Sequence, residues 1–283
     1  MKRILTLVVA LVIGFSAFAQ GTVTTRSHRL IDFTDKVTKI VLPGNDLLDG
    51  ALRQEIVNHW TESPFEFCSP ADFEAQKTSP DYYFLLAAES RFKGEETPGI
   101  IFLTLVKGAP EAADGGIAAM PEVISLPLTA AEGGSGRELL YMGALISAIQ
   151  QYTLAAMESE AVAYGMENWF NAVFSKNGKT KNIWIPESDL SDKVDQKDLD
   201  KYLDEDCHIC DEDEADEIYA REQFQGVVSY VVAPANPGQG SYCYKLLFEA
   251  DTHALCYIHR HKITPRSGVG FVVDDLKRIS RGR

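Results

Sequence analysis

The stretch from Glu138 to about Glu158 restricts the fold more than any other part of this chain. It reads as one helix that is apolar around most of its circumference, with Gly143, Ala144, Ser147 and Ala148 small enough for a neighbour to approach closely. A helix that is apolar on nearly every side must be covered on nearly every side. Length and apolarity suit a membrane span, but Gln150 and Gln151 interrupt the run, so it is expected as a central core helix. The remaining residues have to supply the layers around it, and a hydrophobic share of 45% is enough for that.

Strand-length apolar runs do recur on both sides of this helix. Val37 to Leu42 is stopped by Pro43-Gly44, and Asn45 or Asp46 then caps a helix from Leu47 to Trp60. Leu48, Leu52, Ile56 and Trp60 give that helix one apolar stripe. Further strands are expected at Phe65 to Cys68, Tyr82 to Ala88, Ile100 to Val106 and Glu122 to Leu128, with a short helix from Pro70 to Gln76. After the long helix come a shorter one at Tyr164 to Phe174 and a strand at Asn182 to Ile185. Strands at Val227 to Val232, Tyr242 to Phe248 and Leu255 to Ile263 follow, and a helix at Val269 to Ile279 ends the chain. The fold class is therefore α/β to α+β: a mixed sheet with packed helices in the N-terminal part, then antiparallel strands with a short C-terminal helix. No internal repeat is evident in the residues.

Four segments divide the chain: a leader at 1–19, an α/β core domain at 20–178, an acidic helical or loop segment at 179–225, and a β-hairpin region with a helix at 226–283 that completes the same domain or stands beside it. The leader has Lys2 and Arg3, the apolar run Ile4 to Phe15, and Ala17-Phe18-Ala19 as a cleavage site, the layout of a secretory signal peptide. Its apolar core of about a dozen residues falls short of the ~20 of a spanning helix. No Cys sits near the cleavage point, so no lipid anchor is expected. These features predict a soluble periplasmic or secreted protein with no transmembrane segment in the mature chain.

The formal charge of −14 becomes −16 once Lys2 and Arg3 are removed with the leader. Most of it lies between Glu187 and Glu217, where fifteen acidic residues face only Lys193, Lys197 and Lys201. His259 to Arg283 is the opposite, with seven Lys/Arg against Asp274 and Asp275. This balance argues against nucleic acid, whose phosphates need a dominant basic surface. It suits a solvated surface run first, and beside that a protein partner in the envelope or docking of the basic tail on the acidic segment, within one molecule or between two.

Five cysteines remain: Cys68, Cys207, Cys210, Cys243 and Cys256. Cys207, His208 and Cys210 have the spacing of a redox pair or of part of a zinc site, to which His259 and His261 are the nearest further ligands in type. Acidic neighbours on both sides oppose a reactive thiolate, and calcium on the carboxylates is the other metal chemistry left open. No cofactor is expected. Disulfide candidates are Cys207, Cys210, Cys243 and Cys256. Bridging Cys243 to Cys256 requires a hairpin turn centred between Glu249 and Ala250; centring it between Asp251 and Thr252 places Cys243 opposite Arg260.

Two resemblances accompany this reading. The element order from Val37 to Leu86 resembles the small α/β domain at the start of periplasmic TolB proteins, and implies nothing about activity. The turn Glu249-Ala250-Asp251-Thr252-His253 resembles the Asp-Ala-x-Thr-Gly hairpins of secreted PepSY-type modules, with His253 where glycine usually takes positive φ. Gly133-Gly134-Ser135-Gly136 matches no phosphate-loop or nucleophile-elbow pattern; Ser135 with Glu138 reads as a capping box instead. With no assembled catalytic motif, the expected function is a non-catalytic binding or assembly factor of the bacterial envelope. The alternative is a metal or thiol protein built on Cys207 and Cys210.

Overall fold

From residue 30 onward the computed structural model describes residues 30–177, 181–221, 224–238 and 240–282. The leader at 1–19 lies outside them. Two mixed sheets carry the fold, and they are built alike. In the first, β1 (Val37–Val41), β2 (Phe65–Cys68), β3 (Tyr82–Arg91), β4 (Ile100–Lys107) and β5 (Glu122–Ala130) lie in the order β2-β1-β3-β4-β5. In the second, β6 (Asn182–Pro186), β7 (Cys207–Cys210), β8 (Gly226–Val232), β9 (Tyr242–Glu249) and β10 (Leu255–Lys262) lie in the order β7-β6-β8-β9-β10.

Pairing directions match as well. β1 is parallel to β2 and β3, while β4 is antiparallel to β3 and β5. Correspondingly, β6 is parallel to β7 and β8, while β9 is antiparallel to β8 and β10. Helices fall at equivalent places: α1 (Asp46–His59) and α2 (Pro70–Gln76) join the first three strands of the first sheet, and α4 (Arg137–Glu158) follows its last. α7 (Gln196–Tyr202), α8 (Glu212–Ala220) and α9 (Val273–Gly282) do the same in the second. One βαβαβββα unit therefore occurs twice. The first adds a short α3 (Ala112–Gly115), and α5 (Glu160–Ala163) and α6 (Met166–Asn177) stand between the units.

This duplication corrects the expectation of no repeat, and a short echo of it is visible once the elements are aligned. Phe67-Cys68 ends β2 and is followed by Ser69, as Ile209-Cys210 ends β7 and is followed by Asp211. Ser69 and Asp211 are helix N-caps, accepting from Asp72 N–H and Glu214 N–H three residues on. The next residues, Phe73 and Ala215, are both buried. Backbone geometry repeats too: Thr38 N–H donates to Pro64 O and Ile183 N–H to Asp206 O, both at 2.8 Å.

The units stack in tandem. α1 and α4 cover one face of the first sheet and α2 the other; α8 covers one face of the second, and α7 with α9 the other. The largest core joins the inner faces of both sheets through α1, α4 and α8, so α4 is the central helix expected from its composition. By length and apolarity it is long enough to cross a membrane, and 67% of that apolar window is buried inside the fold. Tyr141 of α4 stacks on Tyr230 and Phe248 of the second sheet at 4.6 and 5.1 Å.

The acidic segment, expected as helix or loop, contains two helices and the edge strand β7. Strands from the segments 179–225 and 226–283 thus share one sheet.

Candidate functional site

β7 sets where the side chains of the Cys207-His208-Ile209-Cys210 motif lie. In an extended strand, residues three apart are ~10 Å apart and point to opposite faces. Cys207 accordingly packs into the outer core under α7 and α9, and Cys210 into the inner one. A disulfide needs Cα atoms closer than ~7 Å. His208 stacks on Trp184 at 4.9 Å. The three candidate ligands are therefore not brought together. Among the described residues no group of three His, Cys, Asp or Glu is placed to hold a metal ion. Burial, with Glu214 and Asp211 adding to it, pushes the Cys210 thiol up to about 11. A nucleophile needs the reverse.

The other candidate bridge is also separated. Cys243 lies opposite His261, five residues along β10 from Cys256, or ~17 Å. A bulge where Leu247 and Phe248 pair with Tyr257 and Leu255 places both Cys256 and Tyr257 in the outer core, where Tyr257 meets Phe174 of α6 at 5.7 Å. No disulfide joins the five cysteines. His253 does take positive φ (53°) at the hairpin turn, and its ring stacks on Tyr219 at 4.6 Å, which compensates a conformation that glycine adopts without cost.

Around β7 the surface is strongly acidic. Asp204, Glu205 and Asp206 precede the strand, Asp211 to Glu214 follow it, and all seven are exposed. β7 is an edge strand, and Ile209 stands out from it at 39% exposure. The C-terminal helix packs against this segment beside α7, where Lys277 lies over the Tyr202 ring at 5.6 Å.

Two buried polar clusters escaped the sequence reading. One lies on the α9 face of the β9–β10 hairpin, where Cys243 is paired with His261 and Lys245 with His259. Lys245 Nζ donates to Asp275 Oδ2 at 3.0 Å, and both side chains are fully buried. His259 Nδ1 lies 2.6 Å from Asp275 Oδ1, and His261 Nδ1 2.6 Å from Lys245 Nζ. Burial would raise the Asp275 carboxyl, but the His259 hydrogen bond, the Lys245 charge and the Val272 N–H outweigh it and hold it below its ordinary value. A lysine inside the otherwise apolar run of β9 was the available signal.

The second cluster joins the two units. Arg137, at the start of α4, is 8% exposed and lies between the Tyr141 and Tyr230 rings. It pairs with Asp216 at 2.9 Å and Asp189 at 3.5 Å, while Ser229 donates to Asp189 at 2.5 Å. The Gly-rich loop before it is closed by the chain itself. Gly136 is the N-cap in place of Ser135, and Glu138 accepts from Gly136 N–H, which fills the anion seat of that helix start.

Comparison of the chain with protein-family models, with curated proteins and with solved structures yields no match.

Proposed function

We propose that this chain is an exported, non-catalytic binding protein of the bacterial cell envelope. In this reading the acidic edge of its second sheet takes up a basic, extended segment of a partner protein. The carrying observation is the edge strand β7, bracketed by exposed carboxylates and presenting Ile209. Edge strands recognise extended segments by adding them as a further strand, and complementary charge sets partner choice and association rate. The leader supports export, and the raised thiol of Cys210 argues against thiol chemistry at the same strand.

Fluorescence anisotropy tests this on the mature chain, with a labelled peptide alternating Lys and Ile and a Glu-for-Lys control. The Lys peptide should bind at low salt and weaken with added salt, while the control should not bind. Replacing Glu205 and Glu212 by Gln and Asp213 by Asn leaves the Asp211 cap intact, and should weaken binding by about tenfold or more. Equal binding by that variant, or none by the parent at low salt, overturns the proposal. Tight zinc or calcium retention through dialysis would favour the metal reading instead.

A further inference from the structure

The hairpin cluster is wired so that His261 has to be uncharged. Its Nδ1 faces the Lys245 ammonium, which has only hydrogens to offer, so Nδ1 accepts. Its Nε2 lies 3.0 Å from Gly268 O, a pure acceptor, so Nε2 carries the proton. Around it stand Lys245 and Cys243 from β9, Asp275 from α9, His259 from its own strand, and the Gly268 carbonyl from the segment 263–272. Arg260 belongs to the opposite face, with Tyr244 and with Glu167 of α6. Asp192 and Lys193 stand beside Gly268, and Asp275 contacts both Lys245 and His259.

What these groups hold down is α9. Asp275 sits in its first turn, and Leu276 and Ile279 close the outer core over Ile183, Ile185, Val227 and Leu247. Beneath the same helix the Tyr257 hydroxyl is buried without a hydrogen-bond partner, with exposed Arg278 nearby. An unsatisfied hydroxyl at this layer lowers the cost of opening it.

We propose that His261 is an acid-release catch. A proton on Nδ1 replaces an accepted hydrogen bond by a donor facing a donor and a cation facing a cation, and α9 with the segment 263–272 then lifts from the second sheet to bare its apolar outer face. Burial first, and then the charge of Lys245, hold the imidazole below its ordinary value of 6.5. A histidine depressed in the folded state contributes stability that is complete above 6.5 and is lost as pH falls through the lowered value.

Hydrogen exchange of the mature chain, read by mass spectrometry and corrected for the intrinsic pH dependence, measures this directly. Peptides covering 263–282 should exchange several-fold faster on acidification, while those from β4 stay protected. His261→Gln, which keeps hydrogen-bonding atoms but does not titrate, should abolish the difference. Imidazole NMR on the unaltered chain supplies a second readout that no folding defect affects: His261 should titrate below an ordinary histidine, at the pH where α9 opens. Equal protection of α9 at both pH values, a pH response retained in His261→Gln, or an ordinary titration of His261 would each overturn the catch.

Discussion

Arg137 meets two carboxylates, and they are not equivalent. Asp216 is partly open to solvent and takes the closer contact with the guanidinium. Asp189 is buried, and that burial pushes its carboxyl up to about 6 although Arg137 and Ser229 both favour the ionised form. Between its ordinary 3.8 and about 6 the folded chain holds a proton that the unfolded chain has released. The contribution of Asp189 is thus complete below 3.8 and is lost as pH rises through about 6, the reverse of His261. Asp189→Asn removes the titration. Urea midpoints of parent and variant at about pH 4.5 and 7.5 should show the variant losing less stability over that interval. An unchanged pH dependence would mean that Asp189 is ionised throughout.

Gln150 shows how one residue read at the level of composition acquires a role at the level of elements. In the sequence it argued against a membrane helix. In the fold its amide donates to His59 O and accepts from Thr61 N–H and Glu62 N–H, so α4 terminates α1. Gln150→Leu keeps the volume and orphans three backbone groups, and should cost about 2–3 kcal/mol in urea unfolding. A loss below about 0.5 kcal/mol would mean that water takes over the amide's bonds. Most elements were legible for the reason that makes α1 legible: an Asn45 cap, a stripe ending in Ile56 and Trp60, and apolar strand runs bounded by turn residues. β7 was not, because four residues flanked by carboxylates show no alternation of their own, and pairing with β6 makes them a strand. Register in the β9–β10 hairpin was undecided for a related reason. The bulge between Leu247 and Phe248 shifts the register so that Cys243 lies opposite His261, and no turn residue in the sequence marks it. The buried Lys245–Asp275 pair depends on that register and was hidden with it.

At the scale of the whole molecule, the tandem arrangement of two like units has a consequence for cooperativity. Two copies of one module joined by a linker would unfold separately if each closed its own core. Here they do not. α4 completes the first unit by sequence, yet its Tyr141 ring lies against Tyr219, Tyr230 and Phe248 of the second. Arg137 at its start is paired to Asp189 and Asp216 of the second unit, and the Tyr230 hydroxyl donates to Leu128 O of β5 at 2.6 Å. Separating the units would expose that aromatic face and strand a buried guanidinium, penalties comparable with the whole stability of a domain. The two units should therefore unfold as one. Trp60 reports on the first unit and Trp184 on the second, so chains keeping only one of them, with the other tryptophans replaced by Phe, give a probe of each unit. Their urea transitions should coincide with each other and with far-ultraviolet circular dichroism. Arg137→Met tests the coupling itself, and should lower the common midpoint without splitting it, because the aromatic contacts remain. Two separated transitions in the parent chain would show that the shared core contributes less than either sheet does alone.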